Sequence, residues 1–133
     1  MGQPMQGVIL LDVSPGSGEV FEQSFTEKVG HPALVCHGPH EDELCPLLAG
    51  KGCDKFESAH GIVFELDLDR PQHRAIVKRY RELGSEGMPI RVVTTPEHAA
   101  QHAALLAGVE VWTHEPTVAD LDGFAAEVEA ADR

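Results

Sequence analysis

The chain has 133 residues, 42% of them apolar and 24% charged, with Asp and Glu at 22 against Lys and Arg at 10, a net charge of -12. A domain of this length buries roughly two-thirds of its unfolded surface, so it needs neither disulfides nor a structural metal to build a core. The acidic balance argues against nucleic-acid binding, which rests on clustered basic side chains, and no apolar run approaches the roughly 20 residues of a membrane span. The N-terminal stretch MGQPMQGVILLDV has no basic region and carries Asp12 in its short apolar run. It reads as neither a secretory signal nor a span, which points to the cytoplasm. Three cysteines form an odd set, too small for a disulfide scaffold and in keeping with a reducing compartment.

In chain order, the first apolar run is Val8 to Val13, rich in β-branched and aliphatic residues as a strand buried on both faces is. Phe21, Phe25 and Val29 then sit four apart, predicting a helix that stops at Gly30. A second strand is expected over Ala33 to Cys36. A second helix should carry Leu44, Leu47 and Leu48, with Glu41 and Asp42 at its positive end. The stretch Gly50 to His60, GKGCDKFESAH, is irregular and long for a connection. A third strand follows over Ile62 to Leu68, and a third helix with Pro71 at its entry, Ala75, Ile76, Tyr80 and Leu83 as its stripe and Gly84 at its exit. The fourth strand, Ile90 to Thr94, leads into an alanine-rich helix from Pro96 to Gly108. The fifth strand, Val109 to Trp112, precedes a helix in which Thr117 and Asp120 form a capping pair and Leu121, Phe124 and Val128 share a face.

Strand and helix thus alternate five times, with no internal repeat or linker dividing residues 1–133. That pattern predicts a single α/β domain with a five-stranded parallel sheet and helices on both faces. Ligands of such sheets sit beyond the carboxyl ends of the strands. Those ends are Asp12, then Cys36 and His37, then Asp67 and Asp69, then Thr94 and Thr95, then Thr113, His114 and Glu115.

From Val8 to about Val128 the chain resembles the receiver domains of two-component response regulators. In FELDLDRP, Asp67 precedes Pro71 by four residues, as the phosphate-accepting Asp of that family precedes a Pro. In PIRVVTTPE, Thr94 stands where the family's Thr or Ser contacts the phosphoryl group. Ala107 and Gly108 end a helix, and Glu115 and Pro116 follow at the spacing of the family's Lys-Pro pair. The resemblance implies a doubly wound flavodoxin-like, CheY-like fold, its five-stranded parallel sheet in the order 2-1-3-4-5 with helices on both faces, and a signalling role; two departures imply a degenerate site. Val13 follows Asp12 where the family carries a second acid for Mg²⁺, and Glu115 replaces the Lys that neutralises the phosphoryl charge. Two like charges 4 Å apart repel by about 4 kcal/mol at an effective dielectric near 20. The sequence reading is therefore a non-enzymatic signalling or protein-interaction module without a required cofactor. Its partner would be a protein, a second copy of the chain included, engaged through the fourth helix, fifth strand and fifth helix. Trp112 is the candidate anchor there.

Two alternatives remain open from the residues. Asp67 with Thr94 would make an atypical phosphoacceptor. Separately, Cys36, His37, His40, Cys45 and Cys53 fall within eighteen residues, with His60 shortly after. Thiolate and imidazole select zinc and soft transition ions, although the C-x-x-C pair of common zinc sites is missing. Cys45 and Cys53 also qualify as a reversible redox pair. The metal alternatives are thus Zn²⁺ at Cys36, His37, Cys45 and Cys53, and Mg²⁺ near Asp12. His98 and His102, four apart, read as solvated helix residues, and His73 as a surface residue.

Overall fold

The computed structural model of the chain describes residues 8–13, 20–21, 23–30, 33–36, 50, 59–83 and 88–132. The strands are β1 (Ile9–Val13), β2 (Ala33–Cys36), β3 (Gly61–Glu65), β4 (Ile90–Val93) and β5 (Glu110–Trp112). They form one parallel sheet in the order β2-β1-β3-β4-β5, the flavodoxin-like order that the receiver resemblance implies. A π-helical segment, Ser24–Val29, lies between β1 and β2. Helix α1 (Pro71–Leu83) joins β3 to β4, α2 (Pro96–Gln101) joins β4 to β5, and α3 (Val118–Asp132) follows β5. Among the described residues, no helix is long and apolar enough to cross a membrane. The expected second helix, residues 84–87 and most of the Gly50 to His60 stretch lie outside the described residues.

Side chains of successive strand residues alternate between faces, so the sheet divides the core in two. On one face Leu10, Ile62, Phe64 and Val92 pack under Ile76, Val77 and Tyr80 of α1, with Leu106. On the other, Ile9, Leu11, Val13 and Val63 pack under Leu121, Phe124 and Val128 of α3, with Phe25 of the π-helical segment and Phe21 just before it. The stripe read from α3 is therefore the face it buries, while of the α1 stripe Ile76 and Tyr80 are buried, Ala75 is half-buried and the Leu83 side chain lies outside the described residues.

The third strand and the alanine-rich helix end earlier than the sequence pattern suggests, and the segment after β1 ends at Gly30 as expected but winds differently, each for a local reason. The third strand stops at Glu65, not Leu68, because Oδ1 of Asp67 accepts the Asp69 N–H at 2.9 Å and the Asp67 carbonyl accepts the Arg70 N–H at 3.1 Å, which turns the chain. The segment after β1 is π-helical over Ser24–Val29. It closes with the Gly30 N–H donating to the Phe25 carbonyl, Gly30 being left-handed at φ 74°. The alanine-rich helix is regular only to Gln101. Residues 102–108 continue as turns, and the Arg81 guanidinium takes the carbonyls of Leu105 and Ala107, with Gly108 at φ 82°. By contrast, α3 starts as expected. Thr117 N–H donates to Asp120 Oδ2 at 2.9 Å, and Asp120 N–H donates to Thr117 Oγ1 at 3.1 Å.

The two layers meet most closely at Gly61, the first residue of β3, where a Cβ would lie 2.5 Å from Val128 Cγ2 and 3.3 Å from Phe124 Cζ. A Cβ at Gly123 within α3 meets nothing within 4 Å. Gly61→Ala is expected to destabilise the fold by about 1–3 kcal/mol through overpacking. Gly123→Ala should stabilise it by about 0.4–1 kcal/mol. Urea denaturation of the two variants should move the midpoint in opposite directions.

Candidate functional site

The parallel register brings the carboxyl ends of β3, β4 and β5 together, and a cleft of about 510 Å³ opens there. Phe21, Leu66, Val93, Pro96 and Pro116 give it apolar walls. Its polar lining is Glu65, Asp67, Thr94, Thr95, His98, Thr113, His114 and Glu115. The lining among the described residues contains no Lys or Arg. Of the residues expected at the site, Asp67, Thr94 and Glu115 therefore meet in one cleft, Asp67 and Glu115 exposed and Thr94 half-buried.

Each is placed by its backbone. Asp67 sits in the turn after β3, where its carbonyl also lies 3.0 Å from His73 Nδ1. Arg74 Nη1 donates to the carbonyls of Leu68 and Asp69, which fixes the loop against the first turn of α1. Thr94 N–H donates to the Trp112 carbonyl at 3.1 Å, holding the end of β4 to β5. Thr95 caps α2, its Oγ1 accepting the His98 N–H at 3.1 Å. His114 Nδ1 lies 3.0 Å from the Glu115 carbonyl.

Asp12 is elsewhere. It is 1% exposed, points to the α1 face of the sheet, and its Oδ2 accepts the Tyr80 hydroxyl at 2.7 Å. It is not among the residues lining the cleft. Trp112 requires a correction as an interface anchor, because only 9% of it is exposed. Its ring meets Phe124 edge to face with centroids 6.1 Å apart, in the core under α3. The position next to it holds a feature the sequence reading did not single out. Arg91, also buried, pairs with Glu127 at 2.6 Å and Glu110 at 3.2 Å and stands over the Phe124 ring at 5.0 Å.

Of the cysteine and histidine set, His37, His40, Cys45 and Cys53 lie outside the described residues. Cys36 is half-buried at the carboxyl end of β2. His60 precedes β3 at the opposite edge, its Nδ1 accepting the Val8 N–H at 3.2 Å. Cys36 is level with Asp12 and hence with Phe64, four residues beyond His60, so the two stand about 13 Å apart along the strands. Among the described residues, Asp67, Asp69 and His98 instead place three ligand atoms within 4.8 Å of one another.

Three histidines are not as the sequence suggested, His102 among them, half-buried with its Nε2 away from solvent. His98 is half-buried, with Nε2 3.1 Å from Asp69 Oδ2. His73 is 5% exposed, where a helix entry beside Arg74 had suggested solvent. Burial pushes its imidazole below the ordinary value, outweighing the stabilising Asp67 carbonyl. At Asp120 the Thr117 N–H holds the carboxyl below the usual range.

No protein-family model and no curated protein matches the sequence. Solved structures do match. The solution structure of a response regulator protein from Burkholderia multivorans aligns over 92% of this chain and 94% of that one, with TM-score 0.57 and 16% identity. A response regulator in red light signaling of R. palustris aligns over 92% of this chain and 89% of that one, with TM-score 0.52 and 10% identity. The chain has the receiver fold. Within that fold, the Asp67 turn, Thr94 and Glu115 stand together at the carboxyl edge of the sheet.

The His73 environment gives a pH signature. An imidazole whose pKa is lowered by folding stabilises the native state fully above about pH 6.5. That contribution is lost as pH falls through the lowered value, because the unfolded chain takes the proton first. Urea midpoints should therefore fall between pH 7.5 and pH 5.5, and His73→Gln, neutral at both, should show a smaller fall.

Proposed function

We propose that this chain is a signalling or protein-interaction module on a receiver fold, non-enzymatic and working without phosphorylation of Asp67. One observation carries the reading. Glu65, Asp67 and Glu115 line the same cleft, and no Lys or Arg among the described residues lines it with them. A phosphoryl group on Asp67 would add a dianion to that set. The neighbouring carboxylates oppose that added charge, by an amount that falls with distance and with the solvent screening of these exposed groups. The Asp67 carboxylate also serves the turn through the Asp69 N–H, so modifying it competes with the loop that it holds.

The partner is a protein, in keeping with the response-regulator neighbours. A net charge of -12 suits a basic binding surface, and such an association weakens as salt rises. Asp67→Asn keeps an acceptor in the turn and should leave partner binding intact. The direct test is the intact mass of the protein after incubation with acetyl phosphate and Mg²⁺. The wild type and Asp67→Asn should both remain unmodified. A phosphoryl adduct on the wild type that Asp67→Asn abolishes would overturn the reading.

A further inference from the structure

The triad of Asp67, Asp69 and His98 combines two carboxylates from the β3–α1 loop with an imidazole from α2. Its donors are therefore mixed, and two separate elements bring them to one point. Nε2 of His98 is 3.1 Å from Oδ2 of Asp69. That is close to the roughly 3.4 Å between two ligands bound at about 2.1 Å on a tetrahedral zinc ion. All three ligand atoms lie within 4.8 Å, a span that small rotations of exposed aspartates close.

The surroundings favour a cation over a simple ion pair. A solitary His–Asp pair needs no third ligand, yet Asp67 brings one, fixed beside the pair by the Asp69 N–H on its Oδ1. Asp67 and His98 also line the cleft, with Glu65 and Glu115 adding negative charge and no basic side chain among the described lining residues. The imidazole is held in place: its side chain is 24% exposed against 59% for Asp69, and the Thr95 cap fixes the turn that carries it. Nitrogen among oxygen donors selects first-row transition ions over Mg²⁺ and Ca²⁺, which prefer oxygen alone.

We propose that Asp67, Asp69 and His98 bind one divalent transition ion of the zinc class, with water completing its coordination. Such an ion ties the β3–α1 loop to α2 across the cleft. The site goes beyond the signalling reading and does not rest on it: phosphorylation of Asp67 in the absence of metal would defeat that reading and leave this one standing.

The test is calorimetric titration of the full-length protein with Zn²⁺, in parallel with Asp69→Asn, His98→Gln, His114→Gln and Cys53→Ser. Both ligand substitutions fall on partly exposed side chains, and far-ultraviolet circular dichroism checks that each variant is folded. The expected result is one Zn²⁺ per wild-type chain. Asp69→Asn and His98→Gln should each weaken it at least about tenfold, the smallest loss typical of removing even an outer-shell partner. His114→Gln and Cys53→Ser should bind as the wild type does. A wild type that binds no Zn²⁺, an affinity unchanged in His98→Gln, or binding abolished by Cys53→Ser would each overturn the proposal.

Discussion

Asp67 holds the carboxyl edge of the sheet through both its side chain and its backbone. Oδ1 accepts the Asp69 N–H, and the carbonyl accepts the Arg70 N–H and lies within hydrogen-bonding distance of His73 Nδ1. These contacts end β3, set the first turn of α1 and fix the floor of the cleft. They also require the His73 tautomer that carries its proton on Nδ1, because a carbonyl can only accept. Burial lowers the pKa of that ring. A side chain that would be the reactive group of a phosphorylated receiver is here part of the turn that shapes the site.

Charge is distributed by the same economy. Acids are left at the cleft, where solvent screens them, while the buried guanidinium of Arg91 lies under α3 between Glu110, Glu127 and two aromatic rings. Burying a cation costs free energy unless partners meet it, and these partners do so from β5 and α3. Arg91 thereby joins β4 to β5 and α3, two of the three elements on which the sequence places the contact surface. Trp112 contributes to that same packing from within. Any partner docking there meets the polar outer side of these elements, with Glu110 and Glu127 exposed.

Much of the fold was legible because its signals are periodic. The apolar runs of β1 and β4, the stripe of α1 and the Thr117–Asp120 pair each state a local preference that tertiary packing reinforces. What the sequence did not show was decided by contacts between distant residues. Arg81 takes the carbonyls of Leu105 and Ala107 from 24 and 26 positions away and replaces the alanine-rich helix's last turns. Asp12 was counted at the strand end because strand position was known but its face was not. The alternation turns it towards Tyr80, 68 residues on. A charged residue inside a five-residue apolar strand was the available hint, since such a group needs a buried partner. At the site, strand-end positions correctly gathered Asp67, Thr94 and Glu115. The nearness of His98 to Asp69 depends on where α2 lies, which spacing along the chain does not encode.

The proposed function requires that the cleft at the carboxyl edge accept no phosphoryl group. The most direct measurement is a nuclear magnetic resonance titration of ¹⁵N-labelled protein with beryllofluoride, a stable phosphoryl mimic, in the presence of Mg²⁺. The account predicts that the amides of Asp67, Asp69, Thr94, Thr95 and Glu115 do not shift. Saturable shifts confined to those amides, and absent from Asp67→Asn, would contradict it.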